Sequence, residues 1–172
     1  MAAAVAVLVG GLVVVLLLMG QLGVGNSTDD AAAPAADAIG GLERAKAELG
    51  LPVVVPNGLP SNWQANSFQV SASTGAGDPT VVRAGWLTPD GRFVSLVQST
   101  ASPGDLVTAE IVTPGSADRG TATAGGLEWQ VYPGLRDEVV WVRAAGPLSQ
   151  LITGSASESD FQVLAAAVAV GS

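Results

Sequence analysis

The chain reads as an α+β protein: an N-terminal transmembrane helix, then a mainly antiparallel β-sheet of six or seven strands with short helices packed on one face. Three observations predict this. The first 28 of the 172 residues carry no charged side chain. After Pro52, short apolar or alternating segments follow one another through Gly- and Pro-containing turns, so consecutive strands pair as hairpins. Helix signals occur before the strands, once among them and after them, which is the layout of a layered α+β domain.

Residues Ala2 to Val24 are apolar except for Gln21. A helix of that length reaches about 34 Å at 1.5 Å per residue, enough for a hydrocarbon core of about 30 Å. In hydrocarbon a single segment satisfies its backbone only as a helix. A cleaved secretory signal has a shorter apolar stretch preceded by basic residues. Here the stretch is longer and no Lys or Arg precedes it, so residues 1–24 are predicted to be an uncleaved anchor. Asp29, Asp30 and Asp37 follow it, with no base until Arg44, which favours the C-terminal domain outside the cytoplasmic membrane. Ala2, Ala6 and Gly10 fall at four-residue spacing and are candidate contacts for another membrane helix, although alanine-rich segments produce this spacing by chance.

Residues 25–36 are Gly, Asn, Ser, Thr, Asp, Ala and Pro without apolar periodicity, a flexible linker. The folded domain is predicted over residues 37–172. Asp37 suits a helix N-cap; Ile39, Leu42, Ala45 and Leu49 share a face; Gly50 suits the C-cap and Pro52 stops continuation. The pair Gly40-Gly41 weakens that helix. Val53–Val55 is a short apolar run of strand type. Trp63 to Ala72 alternates imperfectly as a strand. Thr80–Thr88 and Arg92–Ser99 flank Pro89-Asp90-Gly91, which fits a type I turn closed by a left-handed glycine, hence a β-hairpin. Val82, Ala84 and Trp86 share one face of its first strand, and Phe93, Ser95 and Val97 one face of its second.

Ser102-Pro103-Gly104-Asp105 has the form of a helix start, followed by a stripe of Leu106 and Ala109. Thr113 to Ala124 reads as loop. Leu127, Trp129 and Val131 alternate with Glu128 and Gln130 as an amphipathic strand. Glu138–Ala145 reads as a central strand and Ser149–Ser155 as the last. Ser157 and Asp160 form a capping box for a terminal helix of about ten residues that places Phe161, Leu164, Ala165 and Val168 on one face, too short to span a membrane.

Composition excludes several function classes. The net charge is −8, with no basic patch, which argues against nucleic acid and anionic lipid headgroups as partners. Cysteine and histidine are absent, which removes disulfides, thiolate chemistry, zinc–cysteine sites and the commonest general base. The single lysine, Lys46, has no Ser-x-x-Lys before it, and Gly154-Ser155-Ala156-Ser157 lacks the second glycine of a nucleophile elbow. Asp90, Asp105 and Asp160 fit turns and caps. Asp137 and Glu138 are adjacent in a predicted strand and so point to opposite sides. No catalytic residues, metal ligands or cofactor are expected.

The four tryptophans remain. Trp63, Trp86, Trp129 and Trp141 sit on different predicted strands and are candidate walls of a ligand cleft. The alternative, favoured by the phase of Trp129 with Leu127 and Val131, is that they fill the core. Arg143 lies in an apolar strand, so it is expected to pair with a carboxylate or to point to water.

Three segments carry a family resemblance: Val53-Val54-Val55-Pro56-Asn57-Gly58-Leu59-Pro60-Ser61-Asn62-Trp63, Gly85-Trp86-Leu87-Thr88-Pro89-Asp90-Gly91-Arg92-Phe93, and Gly126-Leu127-Glu128-Trp129. Ile152-Thr153-Gly154-Ser155-Ala156-Ser157 before the last helix adds a fourth. From residue 40 onward the chain resembles the bacterial domain-of-unknown-function family 4245, single-pass envelope proteins of high-GC bacteria. This chain lacks the basic cytoplasmic tail of that family. The resemblance implies location and architecture and brings no activity, cofactor or catalytic residue.

The expected function is therefore a membrane-anchored extracytoplasmic accessory domain, without catalysis, that works through contacts in a membrane protein complex. The alternative is a binding or carrier module for a small apolar ligand, a lipid or an envelope glycan. A continuous cavity lined by Trp and Leu favours the carrier; a packed interior with an exposed apolar patch favours the accessory domain.

Overall fold

The computed structural model describes residues 36–71, 78–110, 119–134 and 138–172. The predicted anchor 1–24, with Ala2, Ala6 and Gly10, lies outside the described residues. Among the described residues no helix is long and apolar enough to cross a membrane.

The order of elements is α1 (Ala38–Leu49), β1 (Gln64–Ser71), β2 (Val81–Leu87), β3 (Phe93–Ser99), α2 (Pro103–Glu110), β4 (Thr121–Ala124), β5 (Leu127–Pro133), β6 (Val139–Ala145), β7 (Leu148–Gly154) and α3 (Glu158–Gly171). One antiparallel sheet runs in the order β1-β2-β3-β7-β6-β5-β4. Two meanders, β1 to β3 and β4 to β7, meet at the β3–β7 pair in its centre. The expected α+β class and antiparallel sheet are what the chain forms.

Helix ends follow their side chains. Asp37 caps α1 by accepting from the Gly40 amide at 2.9 Å, and Gly50 closes it at φ 63°. Gly41 is not a flaw in this helix. It lies against the Phe68 ring of β1 so closely that a Cβ would have no room. Ser157 and Asp160 form the expected capping box, and α3 runs for 14 residues rather than about ten. The Pro89-Asp90-Gly91 hairpin is present, with Leu87 opposite Phe93, the Gly91 amide donating to the Thr88 carbonyl at 2.9 Å, and Gly91 at φ 71°.

Strand alternation sorts the two faces. Val82, Ala84 and Trp86 face α1 and α3 together with Val94, Leu96, Ile152, Trp141 and Trp129. Phe161, Leu164, Ala165 and Val168 of α3 are fully buried there. Each large apolar side chain taken out of water contributes about 1.5–3 kcal/mol, so this larger cluster dominates stability.

The expectation that all helices pack on one face is corrected here. α2 packs against β6 and β7 on the opposite face. There Leu106 is buried with Val97, Val140, Val142 and Leu151. Ala109, expected in the buried stripe, is exposed, and Val107 packs in its place. Arg83 of β2 forms an ion pair with Glu110 at the end of α2, with both side chains mostly buried. The physical reason is the strand pattern: Val97, Val140, Val142 and Leu151 project from the second face of β3, β6 and β7, so that face also needs cover. Two further differences concern short segments. Val53–Val55 is irregular backbone, not strand. Thr121–Ala124, expected as loop, is the edge strand β4.

Candidate functional site

Three polar side chains lie in one row across the middle of the sheet. Gln98 of β3 is opposite Gln150 of β7, and Gln150 is opposite Arg143 of β6. Parity places them on the face that carries Leu96, Ile152 and Trp141. Both glutamines are about 1% exposed, where an amide without partners is strongly unfavourable.

Gln98 is satisfied by backbone. The Val54 amide donates to Gln98 Oε1 at 2.8 Å, and Gln98 Nε2 donates to the Val54 carbonyl at 2.8 Å. The side chain thus acts as one rung of a ladder and fixes the segment around Val54, which forms no strand of its own. Replacing Gln98 with Leu leaves the Val54 N–H and C=O unpartnered at a buried position. We expect a loss of about 2–3 kcal/mol in thermal unfolding, since each unsatisfied buried group costs about 1–3 kcal/mol.

Gln150 Oε1 accepts from Arg143 Nη1 at 2.9 Å. The guanidinium lies over the Trp129 ring with its carbon 5.6 Å from the centroid, a cation–π contact. Of its two expected fates Arg143 meets the second in part: it is half-buried and borders an open cleft. Its neighbours are an amide and an indole, and among the described residues no carboxylate pairs with it. Burial lowers the guanidinium from its ordinary pKa. The Arg83–Glu110 pair and an exposed Arg44–Asp37 pair are the ion pairs of the described residues.

Beside this row lies a cleft of about 360 Å³. Lys46 of α1, Arg143 and Gln150 supply its polar wall; Pro52, Val54 and Pro147 supply apolar wall. Among the described residues no Asp or Glu side chain lines it. Gly171 packs against the Val55 carbonyl so closely that a side chain would collide, which seats the end of α3 at the same margin.

The four tryptophans do not converge on one cleft. Trp86, Trp129 and Trp141 are at most 2% exposed and belong to the core. Trp141 meets Phe161 of α3 edge to face, with centroids 5.6 Å apart at 66°. Trp129 Nε1 is buried and has no acceptor among the described residues. Trp63 is half-buried and, with Trp86, Ile39, Leu59 and Pro60, lines a surface cleft of about 330 Å³. Trp63 and Trp86 share that cleft wall.

Sequence reading passes over Gln98 and Gln150 and weighs Lys46 only as a partner of a serine nucleophile. Gln98 and Gln150 carried a signal: each is an amide on the phase of a strand that is otherwise apolar, at Leu96-x-Gln98 and Leu148-x-Gln150-x-Ile152. Lys46 carried none, because on a helix surface it reads as solvated. Among the described residues no group of three or more Asp or Glu converges as a metal site.

The family model described as protein of unknown function (DUF4245) matches residues 1–168. The chain belongs to the DUF4245 family. The match covers the predicted anchor as well as the sheet and nearly all of α3. No curated protein and no solved structure matches the DUF4245 chain.

Proposed function

We propose that this DUF4245 protein is a non-catalytic accessory module, tethered outside the cytoplasmic membrane by residues 2–24, that binds an extended segment of a partner protein along the open edge of β1. The observation that carries the reading is that edge. β1 has eight residues, none charged and none proline, and among the described residues it pairs with β2 alone. Edge strands are ordinarily blunted by charge, proline or short length. The opposite edge, β4, is short at four residues. On β1 the one such device is a bulge between Ala65 and Ser67, and Val70 is 41% exposed. An added strand gains backbone hydrogen bonds there, and alternate side chains select the sequence.

Carriage of an apolar ligand has less support. Trp86, Trp129 and Trp141 fill the space between sheet and helices that a carrier leaves open. The lack of His and Cys supports the non-catalytic part.

Lysines at Gln69 and Val70 test the proposal. Both positions are exposed, so the Gln69→Lys/Val70→Lys variant is expected to unfold within about 0.5 kcal/mol of the parent. Crosslinked complexes recovered from the native membrane should contain a stoichiometric partner with the parent and lose it with the variant. Equal recovery from both would remove the β1 edge as the contact.

A further inference from the structure

We infer that the cleft bordered by Lys46, Arg143 and Gln150 is a binding site for a small organic carboxylate whose aliphatic part rests on Pro52, Val54 and Pro147. The inference goes beyond the β1 edge and does not depend on it.

Four observations lead there. First, the chain has only seven basic residues against fifteen acidic ones, yet two of the seven border one cleft that, among the described residues, no Asp or Glu side chain enters. Second, Arg143 is held rather than free. Gln150, itself buried, fixes one guanidinium nitrogen, and Trp129 supports the flat face. A planar guanidinium held in place presents its remaining N–H groups as a fork that matches a carboxylate. Third, the walls are set in advance. The Gln98 amide locks Val54, and the close contact of Gly171 with Val55 seats α3, so little ordering is left for a ligand to drive. Fourth, the volume of about 360 Å³ lies in the range of small-molecule sites.

The charge of the guest follows from the rim. The C-terminal end of α3 at Gly171 and Ser172 borders the cleft. The main-chain oxygens at this end carry negative charge, which opposes a multiply charged anion more than a singly charged one. Some of that charge is already met, because Ser172 Oγ donates to the Val168 carbonyl at 2.7 Å and the Asn57 amide to the Ala167 carbonyl at 3.0 Å. A monoanionic carboxylate with an apolar body fits this rim; a phosphate dianion fits it less well.

The test uses the full chain in a non-ionic detergent at constant ionic strength. Acetate, hexanoate and inorganic phosphate are titrated while the side-chain amide of Gln150 and the indole of Trp129 are followed by NMR. Hexanoate is expected to saturate both signals and to bind more tightly than acetate, by up to about fourfold for each methylene buried. Arg143→Lys keeps the charge but loses the fork and should weaken hexanoate at least about tenfold. Lys46→Gln changes an exposed residue, keeps the fold, and should weaken it by a smaller factor. Unsaturated or absent shifts with hexanoate would overturn the inference. So would preference for phosphate, or binding unchanged in Lys46→Gln and Arg143→Lys alike.

Discussion

Substituting Gly154 with Ala is expected to lower stability by about 3–4 kcal/mol and the melting temperature by about 10 °C. Gly154 sits at φ 142°, in a region that L side chains rarely adopt. It is paired on both sides, with Val94 of β3 and with Val139 of β6, so the strand cannot shift aside alone. A Cβ at this position would collide with the Phe93 carbonyl, which accepts from the Ala156 amide at 3.0 Å. The same turn is joined to β3 by the Phe93 amide donating to Ser155 Oγ at 3.1 Å. The effect thus combines backbone strain with loss of the link that feeds β7 into α3. Ser155→Ala, which removes only the hydroxyl acceptor, should cost about 1 kcal/mol. Equal, small losses from both substitutions would show that the strand end relaxes freely.

Trp141→Ala is expected to cost about 3–5 kcal/mol, the range for removing a buried large aromatic side chain. Trp141 is 1% exposed, lies opposite Ile152 and Val131, and supports Phe161 of α3 edge to face. Its loss should free α3 from the sheet, which near-ultraviolet circular dichroism and hydrogen exchange over 158–171 would register. Trp141→Phe keeps an aromatic partner for Phe161 and should lose less than half as much. The pair of variants also separates core from ligand wall. A tryptophan lining a ligand site would leave the unliganded protein nearly as stable when truncated, whereas one inside the core makes the fold itself fail.

Much of the fold was legible because local chemistry and tertiary context agree. Asp37, Ser102, Ser157 and Asp160 cap the helices that follow them, and Pro89-Asp90-Gly91 turns the chain as its residue types require. Where the reading departed from the structure, the deciding term was long-range. β4 is Thr-Ala-Thr-Ala, an alternation short and weakly apolar, and it exists by pairing with β5. Its signal was the two-residue turn Gly125-Gly126, with φ 59° and 78°, a pattern that joins hairpin strands. The face chosen by α2 was not legible from α2, whose apolar residues are few. It follows from Val97, Val140, Val142 and Leu151 on the second face of the sheet and from the Arg83–Glu110 pair.

The candidate sites divide in the same way. The tryptophans stood out by rarity, yet three of them are core because the sheet needs large side chains under two helices. The row Gln98, Gln150 and Arg143 was visible only as single polar residues, since the β3–β7 register joins residues distant in sequence, while Arg143 and Gln150 meet across the β6–β7 hairpin.

Site-specific photocrosslinking tests the central claim, that the DUF4245 domain binds a partner protein through the β1 edge. A photoreactive residue is placed at Gln69 on β1 or at Gln130 on β5, both exposed, in the full chain in its native membrane. The account predicts one discrete adduct from position 69, absent from position 130 and suppressed by Val70→Lys. Adducts of equal yield from both positions, or none from position 69, would contradict it.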